Sequence, residues 1–137
     1  RSTQSSSSAA SDVYKRQEYE RHESIDEMKH ADVLADRILY LNGLPNFQAL
    51  GKLRIGESVE EILKADLALE HDAIPLLREA IAHCEAVRDY VSREIFARIL
   101  ESEEEHVDFL EKQFDMIERM GIQNYCQLQS KPAGEGE

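Results

Sequence analysis

A chain of 137 residues, 42% hydrophobic and 32% charged, fits one small domain, and no apolar run approaches the roughly 20 residues of a membrane helix. The formal net charge of −12 disfavours nucleic acid, which needs a basic face; it suits either a summed field that draws cations in or a solubilising surface. Two cysteines, Cys84 and Cys126, match no metal spacing and no disulfide framework, and read as reduced thiols of a cytoplasmic protein.

Residues 1–17, RSTQSSSSAASDVYKRQ, carry no apolar period and no secretory h-region, so their composition predicts a disordered or non-native leader. A helix is expected from about Glu18 to Asn42, a rod of roughly 38 Å, stopped by Gly43 with Pro45 beyond. The linker over 43–57 could reach about 50 Å, long enough to cross over and join parallel neighbours. Ser58-Val59-Glu60-Glu61 is a capping box that starts a second helix running to about His83, with Pro75 inside it expected to kink or bulge the backbone. The short stretch near 84–88 implies an antiparallel hairpin. A third helix is expected from about Asp89 to Met120, ended by Gly121, then a short one from Ile122 to Gln129 and a disordered tail over 131–137. One long crossover with short turns is the connectivity of one class of four-helix bundle, although only three long helices are present.

The apolar stripes of these helices are interrupted by ionisable residues. Phe96, Ile99, Leu110, Phe114 and Ile117 share a face, and the positions that bridge its gap are Glu103 and His106. Leu34, Ile38 and Leu41 form a stripe that continues backward to His30 and Glu27. Val59, Leu63, Ile74, Leu77 and Ile81 form a third, passing through Asp66 or Leu67 and then Glu70. Charges in a core are usually paired or metal-bound, and residues at i and i+3 can aim at one point. Two Glu-x-x-His pairs with a lone Glu match the pattern of di-iron carboxylate bundles; carboxylate with imidazole suits iron or manganese better than zinc. Spacing alone is weak: with 19 glutamates in 137 residues, two histidines with Glu at i−3 are unremarkable. Position within the stripes lifts the signal above the competing reading, a buried carboxylate–histidine network without metal.

At these residues the chain resembles the bacterioferritins. His22-Glu23-Ser24-Ile25-Asp26-Glu27-Met28-Lys29-His30-Ala31-Asp32 is similar to their second-helix signature. Gly43-Leu44-Pro45-Asn46 and Leu50-Gly51-Lys52-Leu53 resemble their long linker. Asp66-Leu67-Ala68-Leu69-Glu70, Asp89-Tyr90-Val91-Ser92-Arg93 and Gly121-Ile122-Gln123-Asn124-Tyr125 resemble their third helix, fourth helix and tail. The resemblance covers roughly residues 18–130. It implies an all-α, ferritin-like four-helix bundle lacking its first helix, which would supply one more Glu ligand and one wall. It implies a cytoplasmic homo-oligomeric cage of 24 subunits that oxidises Fe(II) and stores ferric mineral, with a ferredoxin-type reductant for iron release. On that reading Glu27, His30, Glu70, Glu103 and His106 hold a di-iron ferroxidase centre, and His22 with Asp26 forms an inner-surface iron site. Met28, paired across a two-fold axis, would be the axial ligand of haem b; by itself it reads as an interface hydrophobe.

A bundle short of one wall is expected to expose apolar faces and to assemble or oxidise iron poorly. That favours the alternative of a non-catalytic haem-binding or structural cage subunit. A rubrerythrin would bring CxxC iron sites, which the sequence lacks, and a mini-ferritin would place its ligands between subunits.

Overall fold

The computed structural model describes residues 4–46 and 58–130 and, within them, the side chains from Glu18 to Leu128 except that of Glu20. The linker residues 47–57 and the tail over 131–137, for which the sequence predicts a crossover and disorder, lie outside the described residues. All described elements are helical: α1 Gln4–Tyr40, α2 Val59–Ala86, α3 Tyr90–Met120 and α4 Ile122–Ser130. None is long and apolar enough to cross a membrane.

α1 begins at Gln4 and not near Glu18, so the helix reaches back through the serine-rich segment that composition marks as a structureless leader. No glycine or proline lies between Gln4 and Tyr40. Once a helix is nucleated, each added residue costs little, and serine lowers that propagation only modestly. At the other end the left-handed residue is Asn42, at φ 62°. Its N–H bonds to the carbonyl of Leu39 at 3.0 Å, and that of Gly43 to Ile38 at 2.8 Å. Gly43 is required for space instead: a Cβ there would lie 2.7 Å from Ile38 Cγ2.

α2 starts as the sequence dictates. Glu61 N–H donates to Ser58 Oγ at 3.2 Å and Ser58 N–H to Glu61 Oε2 at 3.3 Å, closing the capping box. The helix runs without a break through Pro75, an exposed position, and on to Ala86. Asp89 caps α3 by accepting from Ser92 N–H at 3.1 Å. Arg37 of α1 donates to Asp89 at 2.7 Å and to Ser92 Oγ at 2.9 Å, fastening the end of α1 to the start of α3.

The cross-helix pairs fix the directions. Tyr19 stacks on Phe109 at 3.9 Å, Glu23 approaches His106 and Arg37 meets Ser92, so α1 and α3 are antiparallel. Glu70 meets His106, Arg78 meets Glu104 and Glu85 meets Arg93, so α2 and α3 are antiparallel too. α1 and α2 therefore run parallel, the arrangement that a long crossover permits. They flank α3, and a trough remains between them.

Leu63, Leu110 and Tyr125 form the buried cluster at the far end of the α2–α3 pair. α4 enters it through Tyr125, whose hydroxyl donates to Gln113 Oε1 at 2.9 Å. The α1 stripe is less buried than the sequence suggests: Ile38 is 38% exposed and Leu41 53%, because no described element covers its trough side. On α2 the sequence also hides a second stripe. Ile62, Leu69 and Leu76 recur every seven residues and are all exposed.

Candidate metal centre

Midway along the bundle, Glu103 and His106 of α3 face Glu70 of α2 and Glu23 and Glu27 of α1. One carboxylate oxygen from each of Glu27, Glu70 and Glu103 lies within 4.8 Å of the others. Glu23, Glu103 and His106 form a second group within the same limit, so Glu103 belongs to both. The apolar stripe of α3 carries Glu103 and His106 to this point because they occupy its inward positions between Ile99 and Leu110, both buried.

The groups share very few protons. Glu70 is held below the usual carboxylate range: burial opposes this, but hydrogen bonds with His106 and Glu103 outweigh it. An ionised Glu70 can only accept, so His106 Nδ1 donates to Glu70 Oε1, at 2.8 Å. His106 is raised in turn, the Glu70 hydrogen bond and the Glu23 charge overcoming the desolvation of the imidazolium. Glu103 is pushed up to about 9 by burial, by its hydrogen bond to Glu70 and by the neighbouring carboxylates. Burial also raises Glu23, and it raises Glu27 with help from the charge of Glu70. In this state Glu103 is neutral and donates to Glu70. Its Oε2 is buried and has no hydrogen-bond partner among the described residues.

Four of the five expected ligands, Glu27, Glu70, Glu103 and His106, are thus brought together. His30 is not in either group. The antiparallel register sets it against Ile99, and it lines a mainly apolar groove of about 580 Å³ between α1 and α3 with Val33, Tyr90 and Ile95. Its charge still reaches Glu27, lowering that pKa against the larger effects. His22 is exposed, and the Asp26 carboxylate lies 4.0 Å from Lys29 Nζ; neither belongs to a group of three or more converging ligand atoms among the described residues. Met28 is 60% exposed, on a side of α1 about 100° from Glu27.

Glu23 is the residue the stripe reading missed. Continuing Leu41, Ile38, Leu34 and Glu27 one further step of four gives Glu23, and one more gives Tyr19, which packs on Phe109. The signal was present, but the stripe was followed back only as far as Glu27, one turn short of it. Glu23, Glu27, Glu70 and His106, with Ser24, Asp66 and Leu69, line a cavity of about 320 Å³ in the trough, which leaves the cluster open from that side.

A family model for the ferritin-like domain matches residues 11–120. A bacterioferritin of Rhodobacter capsulatus is 50% identical over 117 residues, covering 85% of this chain and 73% of that protein. One from Brucella melitensis is 47% identical over 118 residues, 86% of this chain and 73% of its own length; one from Streptomyces coelicolor is 47% identical over 123 residues, with 86% and 74% covered. With α1 and α2 both packed antiparallel to α3 and carboxylates from all three converging at mid-height, this chain belongs to the ferritin-like family and, within it, to the bacterioferritins.

Proposed function

We propose that the chain stores iron, taking Fe(II) as its substrate and oxidising it with oxygen or peroxide at the carboxylate–imidazole cluster. The observation that carries this is Glu103, a buried carboxyl with an unpartnered oxygen, ringed by three more carboxylates and one imidazole. Isolated buried charge is costly, and hard oxygen donors with one imidazole are the donor set iron accepts. Two Fe(II) ions held side by side would supply electrons in pairs to the oxidant. Glu27, Glu70, Glu103 and His106 would be the ligands, with His30 one turn along α1 as the terminal ligand expected of the second Glu-x-x-His pair. Binding a cation requires Glu103 to give up its proton, and the open trough beside Glu23 and Glu27 is the way out for it.

The same reading assigns a homo-oligomeric cage of 24 subunits holding ferric mineral, with haem shared at a two-fold contact. Met28 fits that use: its thioether is exposed, and Ile25 and Leu39 on the same side of α1 are exposed too, giving an apolar strip that a second copy could cover. Haem there would supply a path for electrons. His22 and Asp26 would form a looser iron site on the inner surface. The alternative of a non-catalytic haem-binding or structural cage subunit is favoured by one observation, the position of His30 outside both groups.

Initial rates of Fe(II) oxidation separate the two. A ferroxidase shows a fast phase that Glu103→Gln removes. A purely structural subunit oxidises Fe(II) no faster than its Glu103→Gln variant.

A further inference from the structure

The groove of about 580 Å³ between α1 and α3 has two unlike ends. The register that puts Arg37 beside Ser92 and Glu23 beside His106 sets Lys29 level with Arg98 at one end, while Val33, Ile95, Val91 and Tyr90 line the other. We propose that this groove binds a medium-chain fatty carboxylate, its head held by Arg98 and Lys29 and its tail laid along Val33, Ile95 and Val91. The site needs no metal and is separate from the carboxylate cluster.

The tail end is apolar surface left open to solvent. Val33, Tyr90 and Val91 are 47%, 60% and 59% exposed, and the buried Ile99 forms part of the floor beneath them. Single exposed apolar side chains are ordinary, but a concave run of them with a few polar groups at one end is the make-up of a ligand site, and the volume lies in the range such sites occupy. From Arg98 back to Tyr90 is eight residues of α3, about 12 Å of helix, which suits an unbranched tail of medium length.

The head end carries two cations with donors to spare. Arg98 donates through Nε to Glu94 at 3.2 Å, and its two terminal nitrogens have no partner among the described residues. A guanidinium edge with parallel donors is the shape that grips a carboxylate through both oxygens. Lys29 Nζ stands 4.0 Å from Asp26, too far for a hydrogen bond, so its donors are unspent within the fold. Two such cations at the polar end of an apolar groove complement an anionic head. The chain as a whole carries −12 and repels anions, so a preference for one is local to this groove.

Calorimetric titration of the full chain with decanoate below its micelle concentration, set against decylammonium, tests the proposal. One decanoate per chain is expected, with decylammonium about tenfold weaker or more, although the net charge of the chain favours the cation. Octanoate should bind several-fold more weakly than decanoate, because fewer methylenes are buried. Arg98→Gln should weaken decanoate about tenfold. Val91→Asp, at an exposed position in the first turn of α3, should abolish its binding and leave the melting temperature of the ligand-free protein unchanged. If decylammonium binds as well as decanoate or better, adsorption to an acidic surface accounts for the binding and the proposal fails. If decanoate binds and both variants leave it unchanged, the carboxylate sits elsewhere and the proposal also fails. If the unaltered chain binds no decanoate, the proposal is overturned, and a lower sedimenting mass for Val91→Asp would then assign the groove to a second copy of the chain.

Discussion

His106 Nδ1 lies 2.8 Å from Glu70 Oε1, and through this contact the only imidazole of the cluster neutralises one of its four carboxylates. The balance is lopsided. Replacing His106 by alanine removes the imidazolium hydrogen-bonded to Glu70 and facing Glu23 and should destabilise the metal-free protein by about 3 kcal/mol, the scale for breaking a buried pair. Glu70→Gln also breaks the pair but relieves repulsion on Glu27 and Glu103, so its cost should be clearly smaller. Denaturant midpoints of the two variants check this; equal losses would mean that repulsion among the carboxylates is unimportant.

The pH dependence follows from Glu103. Its pKa in the folded chain is about 9 against 4.5 for the ordinary group, so the protonated form is the one the fold favours. That contribution is complete below about pH 4.5 and is lost as pH rises through about 9. Glu23, Glu27 and His106 are raised as well and act in the same direction. The metal-free melting temperature should therefore fall between pH 6 and 9, and Glu103→Gln, which cannot ionise, should flatten much of that fall. Added cation should stabilise more strongly as pH rises, because each ion displaces protons.

Much of this was legible in the sequence. The capping box at Ser58, the hairpin between α2 and α3 and the inward positions of Glu103 and His106 all follow from local spacing, because α3 is buried against neighbours on both flanks. α1 was harder. Its extension back to Gln4 is a matter of helix propagation, which composition does not reveal, and its inward face depends on tertiary register. The periodicity puts His30 and Glu27 on one stripe; only the antiparallel offset against α3 decides that Glu23, and not His30, stands opposite His106. The exposed strip of Ile62, Leu69 and Leu76 has a helical period too, and the sequence alone gives no reason to rank it below the buried one.

Capping at Ser58 carries a stability prediction independent of metal. Ser58→Ala removes the acceptor for Glu61 N–H and should cost about 1 kcal/mol, seen as a lower denaturant midpoint, with Co(II) binding unchanged.

Met28 carries the haem proposal. If its thioether is the axial ligand, Met28→Leu should abolish the haem Soret band of protein reconstituted with haem and leave the fast phase of Fe(II) oxidation intact, since Met28 faces away from Glu27. An unchanged Soret band would assign the ligand to another residue.

The existence of the centre itself is settled by anomalous diffraction at the iron edge from crystals soaked anaerobically in Fe(II). Two peaks are expected at the cluster of Glu27, Glu70, Glu103 and His106. Iron density at His22 and Asp26 alone, or none near Glu103, would contradict a metal centre at this cluster and leave it a buried carboxylate–histidine network.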